Sequence, residues 1–202
     1  MYKIAAFIKF NKKIEKKIYT QKKNVKKIFG KQIYLDHPVH LTLFTLYINK
    51  ISELRNTYSQ LKVKNKTKPI KIKITSTGVF LNDPLTKGHT LFFNLRKNIF
   101  LNKIQMNHLK IINKNIKIVK KDKNIFKDTI YKKNYNKYGF PFVGKIWIPH
   151  VTVASIKKIN SDHLFIKNFL KIKVDLKDLI NSIEFYKIIK NKHYFLFKTK
   201  YI

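Results

Sequence analysis

Apolar and polar positions alternate with period two at the start of the chain. Ile4, Ala6, Ile8 and Phe10 share one face of a strand predicted over Lys3–Phe10. The period then changes. Ile14, Ile18, Val25, Ile28 and Phe29 fall on one side of a helix predicted over Lys12–Phe29, with lysines opposite and Gly30 at the C-cap position. Val39–Ile48 is a dense β-branched and aromatic run, read as a buried strand. Ser52–Leu61 carries Leu54, Tyr58 and Leu61 at helical spacing, with Ser52 as its N-cap.

Further strands are predicted at Ile70–Ile74 and Thr90–Arg96, and Leu101, Ile104, His108 and Ile111 mark another helix. Asn113–Lys145 is less regular: it is rich in Lys and Asn, with Tyr131, Tyr135 and Tyr138 at helical spacing before Gly139-Phe140-Pro141 ends the pattern. Ile146–Ile156 then reads as a strand, Ser161–Leu170 as a capped helix, and Ser182–Ile189 with His193–Lys200 as a closing strand pair. Strands and helices alternate in both halves. The expectation is one α+β domain over residues 1–202, a curved sheet with helices outside, carrying a basic insertion-like segment at about 113–145.

Composition changes this picture little in its fold and more in its partners. The 202 residues hold 45 Lys plus Arg against 10 Asp plus Glu, a formal charge of +35, yet 44 % are hydrophobic. That apolar content separates the chain from charged sequences too poor in it to fold. With no cysteine there is no disulfide framework, thiolate metal site or cysteine nucleophile. Met1–Phe10 lacks the features of a signal peptide, and no apolar run approaches the ~20 residues of a membrane helix. The expectation is a monomer in the cytoplasm, or in the host cytoplasm for a viral chain, with no membrane partner.

Only Arg55 and Arg96 among the basic residues are arginine; 43 are lysine, alongside 30 Ile and 19 Asn. These residues share A+T-rich codons, so much of the charge reads as codon drift. A surface built to fork onto phosphates or base edges would use more arginine. The field still draws anions and favours a phosphate-bearing partner.

Two histidines sit in matching contexts, Val39-His40-Leu41-Thr42-Leu43 and Pro149-His150-Val151-Thr152-Val153. Chance predicts roughly 0.1 such matches among seven histidines, and two occur. Alternation puts His40 and Thr42 on one strand face and Val39, Leu41 and Leu43 on the other; His150 and Thr152 stand likewise. An imidazole near its usual pKa of ~6.5 serves as proton acceptor or donor at neutral pH. A neighbouring threonine hydroxyl can donate to the oxygens of a phosphorus centre gathering charge. This constellation suits phosphodiester cleavage with His40 as base and His150 as acid, the roles exchanging with reaction direction.

The paired motifs resemble those of the 2H phosphoesterase superfamily, the 2′-5′ RNA ligase-like and cyclic phosphodiesterase-like proteins. The resemblance spans most of the chain, from the opening strand and helix through Thr90–Arg96 to the second motif, whose preceding Pro149 is typical of the family. It implies two pseudo-symmetric lobes of antiparallel-rich sheet with outer helices, and a central cleft where His40 and His150 are catalytic and Thr42 and Thr152 bind phosphate. It also implies action, without metal or cofactor, on RNA ends, 2′-5′ oligoadenylate, or a cyclic nucleotide or dinucleotide. The rival reading is a non-catalytic basic RNA-binding domain with vestigial motifs.

Other residues are read more plainly. Phe44 shares the parity of His40 and is the candidate base-stacking wall, and Trp147 should face the core. Asp36, His37 and His40 suggest a metal site only weakly, with no second carboxylate or cysteine near. His89, His108, His163 and His193 read as structural or exposed, although His193 on the last strand could reach a cleft. Lysine runs such as Lys12–Lys17 and Lys22–Lys27 read as solvated helix faces. The Tyr131, Tyr135 and Tyr138 stripe reads as packing rather than base stacking.

Overall fold

The computed structural model describes residues 1–61, 68–121, 129–157 and 159–200. Strand β1 (Tyr2–Ile8) leads into α1 (Lys12–Phe29), whose N-terminus is capped by Asn11 Oδ1 accepting from the Ile14 N–H at 3.0 Å. Gly30 ends it at φ 66°, the left-handed region a C-cap glycine reaches without strain. Strand β2 (Leu41–Ile48) and helix α2 (Ile51–Ser59) follow. Helix α2 starts before Ser52: its cap is Lys50, which supplies no side-chain hydrogen bond.

Strand β3 (Ile70–Asp83) continues nine residues past its predicted end and forms a hairpin with β4 (Gly88–Leu95). Helix α3 (Ile99–Asn115) is capped by Asn98, and α4 (Thr129–Tyr138) lies within the basic 113–145 segment, of which 122–128 fall outside the described residues. Tyr135 and Tyr138 are buried and Tyr131 packs edge-on to Phe142, so the tyrosine stripe packs inward. The chain then forms β5 (His150–Ile156), α5 (Leu164–Leu170), β6 (Leu176–Ile180), β7 (Ser182–Ile189) and β8 (Lys192–Lys200).

Two sequence expectations are corrected here. The strand expected from Ile146 starts at His150, because Gly144–Ile146 forms a 3₁₀ turn; Trp147 is nevertheless buried. The helix expected from Ser161 starts at Leu164, where His163 Nδ1 accepts from the Phe165 N–H.

Among the described residues all pairings are antiparallel, in one eight-stranded sheet of order β6-β3-β4-β5-β2-β1-β7-β8. The order divides at its middle into two matching halves, each with a motif strand innermost. Only Asn181 separates β6 from β7, yet β6 pairs with β3 in one half and β7 with β1 in the other. One residue spans at most ~3.6 Å, so the sheet must curl to bring those strands together. Helices cover the outer face: Tyr58 of α2 packs on Phe185 and Phe197, Phe169 of α5 meets Phe93, and α1 lies against β5. Among the described residues, no helix is long and apolar enough to cross a membrane.

Candidate active site

The two motifs meet where the halves join. Strands β2 and β5 are in register at one pair, Leu41 with Val151, whose side chains are buried. Stepping one residue along an antiparallel pair brings His40 opposite Thr152 and Thr42 opposite His150. All four then project from the face opposite to Leu41 and Val151, and all four are half-buried.

Each motif is held by the same three devices. The first is a hydrogen bond to the carbonyl two residues upstream: His40 Nδ1 to Pro38 O at 2.6 Å, and His150 Nδ1 to Ile148 O at 2.7 Å. A carbonyl only accepts, so Nδ1 carries the hydrogen in both rings. The lone pair of the neutral ring is therefore on Nε2, the nitrogen left to exchange protons. The second is an aromatic neighbour paired with the motif threonine, Phe7 opposite Thr42 and Phe92 opposite Thr152. Phe7 stacks on His40 at 3.8 Å between centroids, whereas Phe92 and Phe80 flank His150 at 5.1 Å each. Gly78 allows this packing, since a Cβ there would lie 2.5 Å from the Phe92 ring.

The third device is a bulge three residues after each histidine. Phe7 pairs with Thr42 while Ala6 pairs with Phe44, leaving Leu43 as the extra residue; Val153 is the extra residue between Thr152 and Ala154. The first bulge overturns the reading of Phe44 as a base-stacking wall. It turns Phe44 to the core face, where the ring is 0 % exposed and packs toward Phe185. Thr42 and Thr152 lie before the bulges and keep their facing. Neither hydroxyl has a hydrogen-bond partner among the described residues, leaving both free to donate to a ligand.

Electrostatics break the symmetry. Burial pushes His40 well below the ordinary histidine value, and the neighbouring His193 lowers it further, outweighing the opposing hydrogen bond to Pro38; Lys9 and His37 act in the same sense as His193. Burial lowers His150 too, but its bond to Ile148 and the Asp83 carboxylate act upward. Asp83 is buried and fixed by Thr90 Oγ1, which donates to Oδ2 at 2.6 Å, and by the Leu85 N–H at 2.9 Å. His40 is thus the more readily neutral imidazole and His150 the better proton holder.

One residue here escaped sequence reading. Lys22, within a run read as solvated, is 4 % exposed: its ammonium donates to the carbonyls of Tyr34 (2.6 Å), His37 (2.7 Å) and Leu35 (3.3 Å). Three N–H groups meet three acceptors and tie down the turn that leads to Pro38 and His40. Lys22 is the i+4 neighbour of Ile18 on the buried helix face, the one signal that set it apart. His37 and His193 approach to 4.6 Å, and His193 reaches 5.3 Å from His40. Even so, no three His, Asp or Glu side chains are grouped to hold a metal ion among the described residues. His108 is buried against Tyr58, and His89 is tied to Asn82 N and Ile159 O.

No protein-family model and no curated protein matches the sequence. Similarity is found in three dimensions. The crystal structure of TT0787 of Thermus thermophilus superposes with TM-score 0.65 at 12 % identity, over 98 % of this chain and 97 % of that one. A phosphoesterase structure gives TM-score 0.57 at 12 % identity, over 99 % and 98 % of the two chains. Escherichia coli LigT complexed with NADP+ gives TM-score 0.55 at 12 % identity, again over 99 % and 98 %, and LigT complexed with 3′-AMP gives TM-score 0.52 at 11 % identity with the same coverage. At such identities the likeness establishes the fold.

Proposed function

From the 2H phosphoesterase fold as premise, we propose that this chain is a metal-independent phosphodiesterase acting on a 2′-linked or 2′,3′-cyclic phosphodiester of RNA ends, 2′-5′ oligonucleotides or cyclic dinucleotides. The observation that carries the proposal is the paired imidazoles, each with Nδ1 tied to a backbone carbonyl and Nε2 left for chemistry, in strands joined at Leu41 and Val151. The nucleotide complexes of the structurally similar LigT support a ligand of this class.

In the proposed reaction His40 Nε2 takes the proton of the attacking hydroxyl, a ribose hydroxyl or water. The new P–O bond forms as the bond to the leaving oxygen breaks. Protonated His150 gives its proton to that oxygen, so the two imidazoles exchange charge states. Thr42 and Thr152 donate to the non-bridging oxygens, which carry most charge in the transition state. Each proton transfer is worth roughly 10²–10⁴ in rate.

Incubation with 2′,3′-cyclic nucleotides, 2′-5′ oligoadenylate and cyclic dinucleotides in EDTA tests the reading. Turnover of at least one substrate, lost in His40→Ala and His150→Ala, is expected. No turnover of any, with salt-sensitive RNA binding, would instead indicate the binding module.

A further inference from the structure

The two halves of the sheet carry the same catalytic devices but surround them differently. Beside His150 stand Phe80, Phe92 and a carboxylate. Beside His40 stand the rings of Phe7 and His193, and among the described residues the charges that act on it are those of His193, Lys9 and His37. His193, at the start of β8 and paired with Ile188, meets Phe7 at 5.2 Å in addition to His37 and His40. The charges that act on it are those of His37, Lys9, Lys22 and Lys3, all of one sign, and they join burial in holding its pKa down to about 4. Two carboxylates stand near the group: Asp36 acts on His37 and on Lys22, and Glu184, opposite Phe7, is engaged by the Tyr186 hydroxyl and by Lys198.

Two of these cations are already engaged. The Lys22 ammonium is consumed by three carbonyls, and Lys3 lies over the Tyr47 ring. Lys9, His37 and His193 are half-exposed and make no side-chain hydrogen bond or ion pair among the described residues. His193 Nδ1 is buried without any partner. A buried nitrogen left unpaired carries a desolvation penalty that a hydrogen-bonding ligand relieves. One free ammonium and two imidazoles, which donate N–H groups and gain protons when an anion sits beside them, fit an anion with several acceptor oxygens.

We propose that Lys9, His37 and His193 form a second phosphate subsite next to His40, which takes a non-scissile phosphate of the same substrate. The proposal rests on the reading of His40, Thr42, His150 and Thr152 as the site of the scissile phosphate. It narrows the substrate to nucleotides bearing at least one phosphate besides the one cleaved, and it orients them with that phosphate on the β8 side.

Calorimetric titration of the full chain with adenosine 2′,5′- and 3′,5′-bisphosphates, against the matching 2′- and 3′-monophosphates, tests it without turnover. The unsubstituted protein is expected to bind at least one bisphosphate about tenfold tighter than its monophosphate, the worth of one or two charge-assisted hydrogen bonds. In His193→Asn and in His37→Asn that ratio should fall to about one. Equal affinity for both members of each pair, or a ratio unchanged in both variants, overturns the subsite. Thr42→Ala and Thr152→Ala report separately on the scissile end: monophosphate binding unchanged in both would sink the catalytic reading, while the bisphosphate ratio still decides the subsite.

Discussion

Leu41 and Val151 form the residue pair that holds β2 and β5 in register, and through it His40 stands opposite Thr152 and Thr42 opposite His150. The spacing of the proposed active site is therefore a property of buried packing. Leu41 is 1 % exposed and Val151 0 %. Leu41→Ala should lower stability in urea by about 2–4 kcal/mol, the usual cost of a truncated core leucine. Leu54→Ala, equally buried on the inner face of α2, should cost as much in stability and leave kcat/KM unchanged. At a temperature where both variants are folded, only Leu41→Ala is expected to lose activity; equal activities would remove the pair from the account.

Asp83 is the carboxylate that distinguishes His150 from His40. It favours the protonated imidazole, so removing its charge lowers the pKa of His150. For a general acid this moves the alkaline limb of the rate profile to lower pH. Asp83→Asn, whose Oδ1 still accepts from the Leu85 N–H while its Nδ2 can donate to Thr90 Oγ1, should show that displacement in kcat/KM with the acidic limb unmoved. A displacement of the acidic limb alone would reverse the assignment of roles.

Lys22 anchors the turn before His40 with three hydrogen bonds. Lys22→Met fills the space but leaves three carbonyls without their donor, and should destabilise the protein by on the order of 2–4 kcal/mol in urea unfolding. Where the variant remains folded, kcat should fall more than KM changes, because Pro38 no longer holds the His40 ring in place. Full stability and full activity would show that the turn holds without Lys22.

What the sequence disclosed and what it concealed follow from the range of the interactions involved. Alternation and helical spacing are local, so the strands bearing His40 and His150, α1 and the inward tyrosines of α4 were legible. The one-residue bulges at Leu43 and Val153 were not. They depend on pairing with β1 and β4, and a single extra residue reverses the facing of everything beyond it, as Phe44 shows. Strand β6 was missed because Leu176–Ile180 is only five residues and lacks clean alternation. Lys22 was hidden for another reason: it resembles its many lysine neighbours, and only tertiary placement makes it a buried clamp, just as only tertiary placement turns His193, read as able to reach a cleft, into a neighbour of His40.

The measurement closest to the central claim is the pH dependence of kcat/KM in EDTA, on whichever phosphodiester the chain turns over, for the unsubstituted protein, His40→Ala and His150→Ala. Activity should rise with pH as His40 loses its proton and fall as His150 loses its own. Both imidazoles are held below the ordinary histidine value, so the profile of the free enzyme should be a bell centred below pH ~6.5. The residual activity of His40→Ala should lack the acidic limb and that of His150→Ala the alkaline limb, each reduced by roughly 10²–10⁴. Undiminished activity in either variant, or a bell that keeps both limbs in both, would contradict acid–base catalysis by this pair.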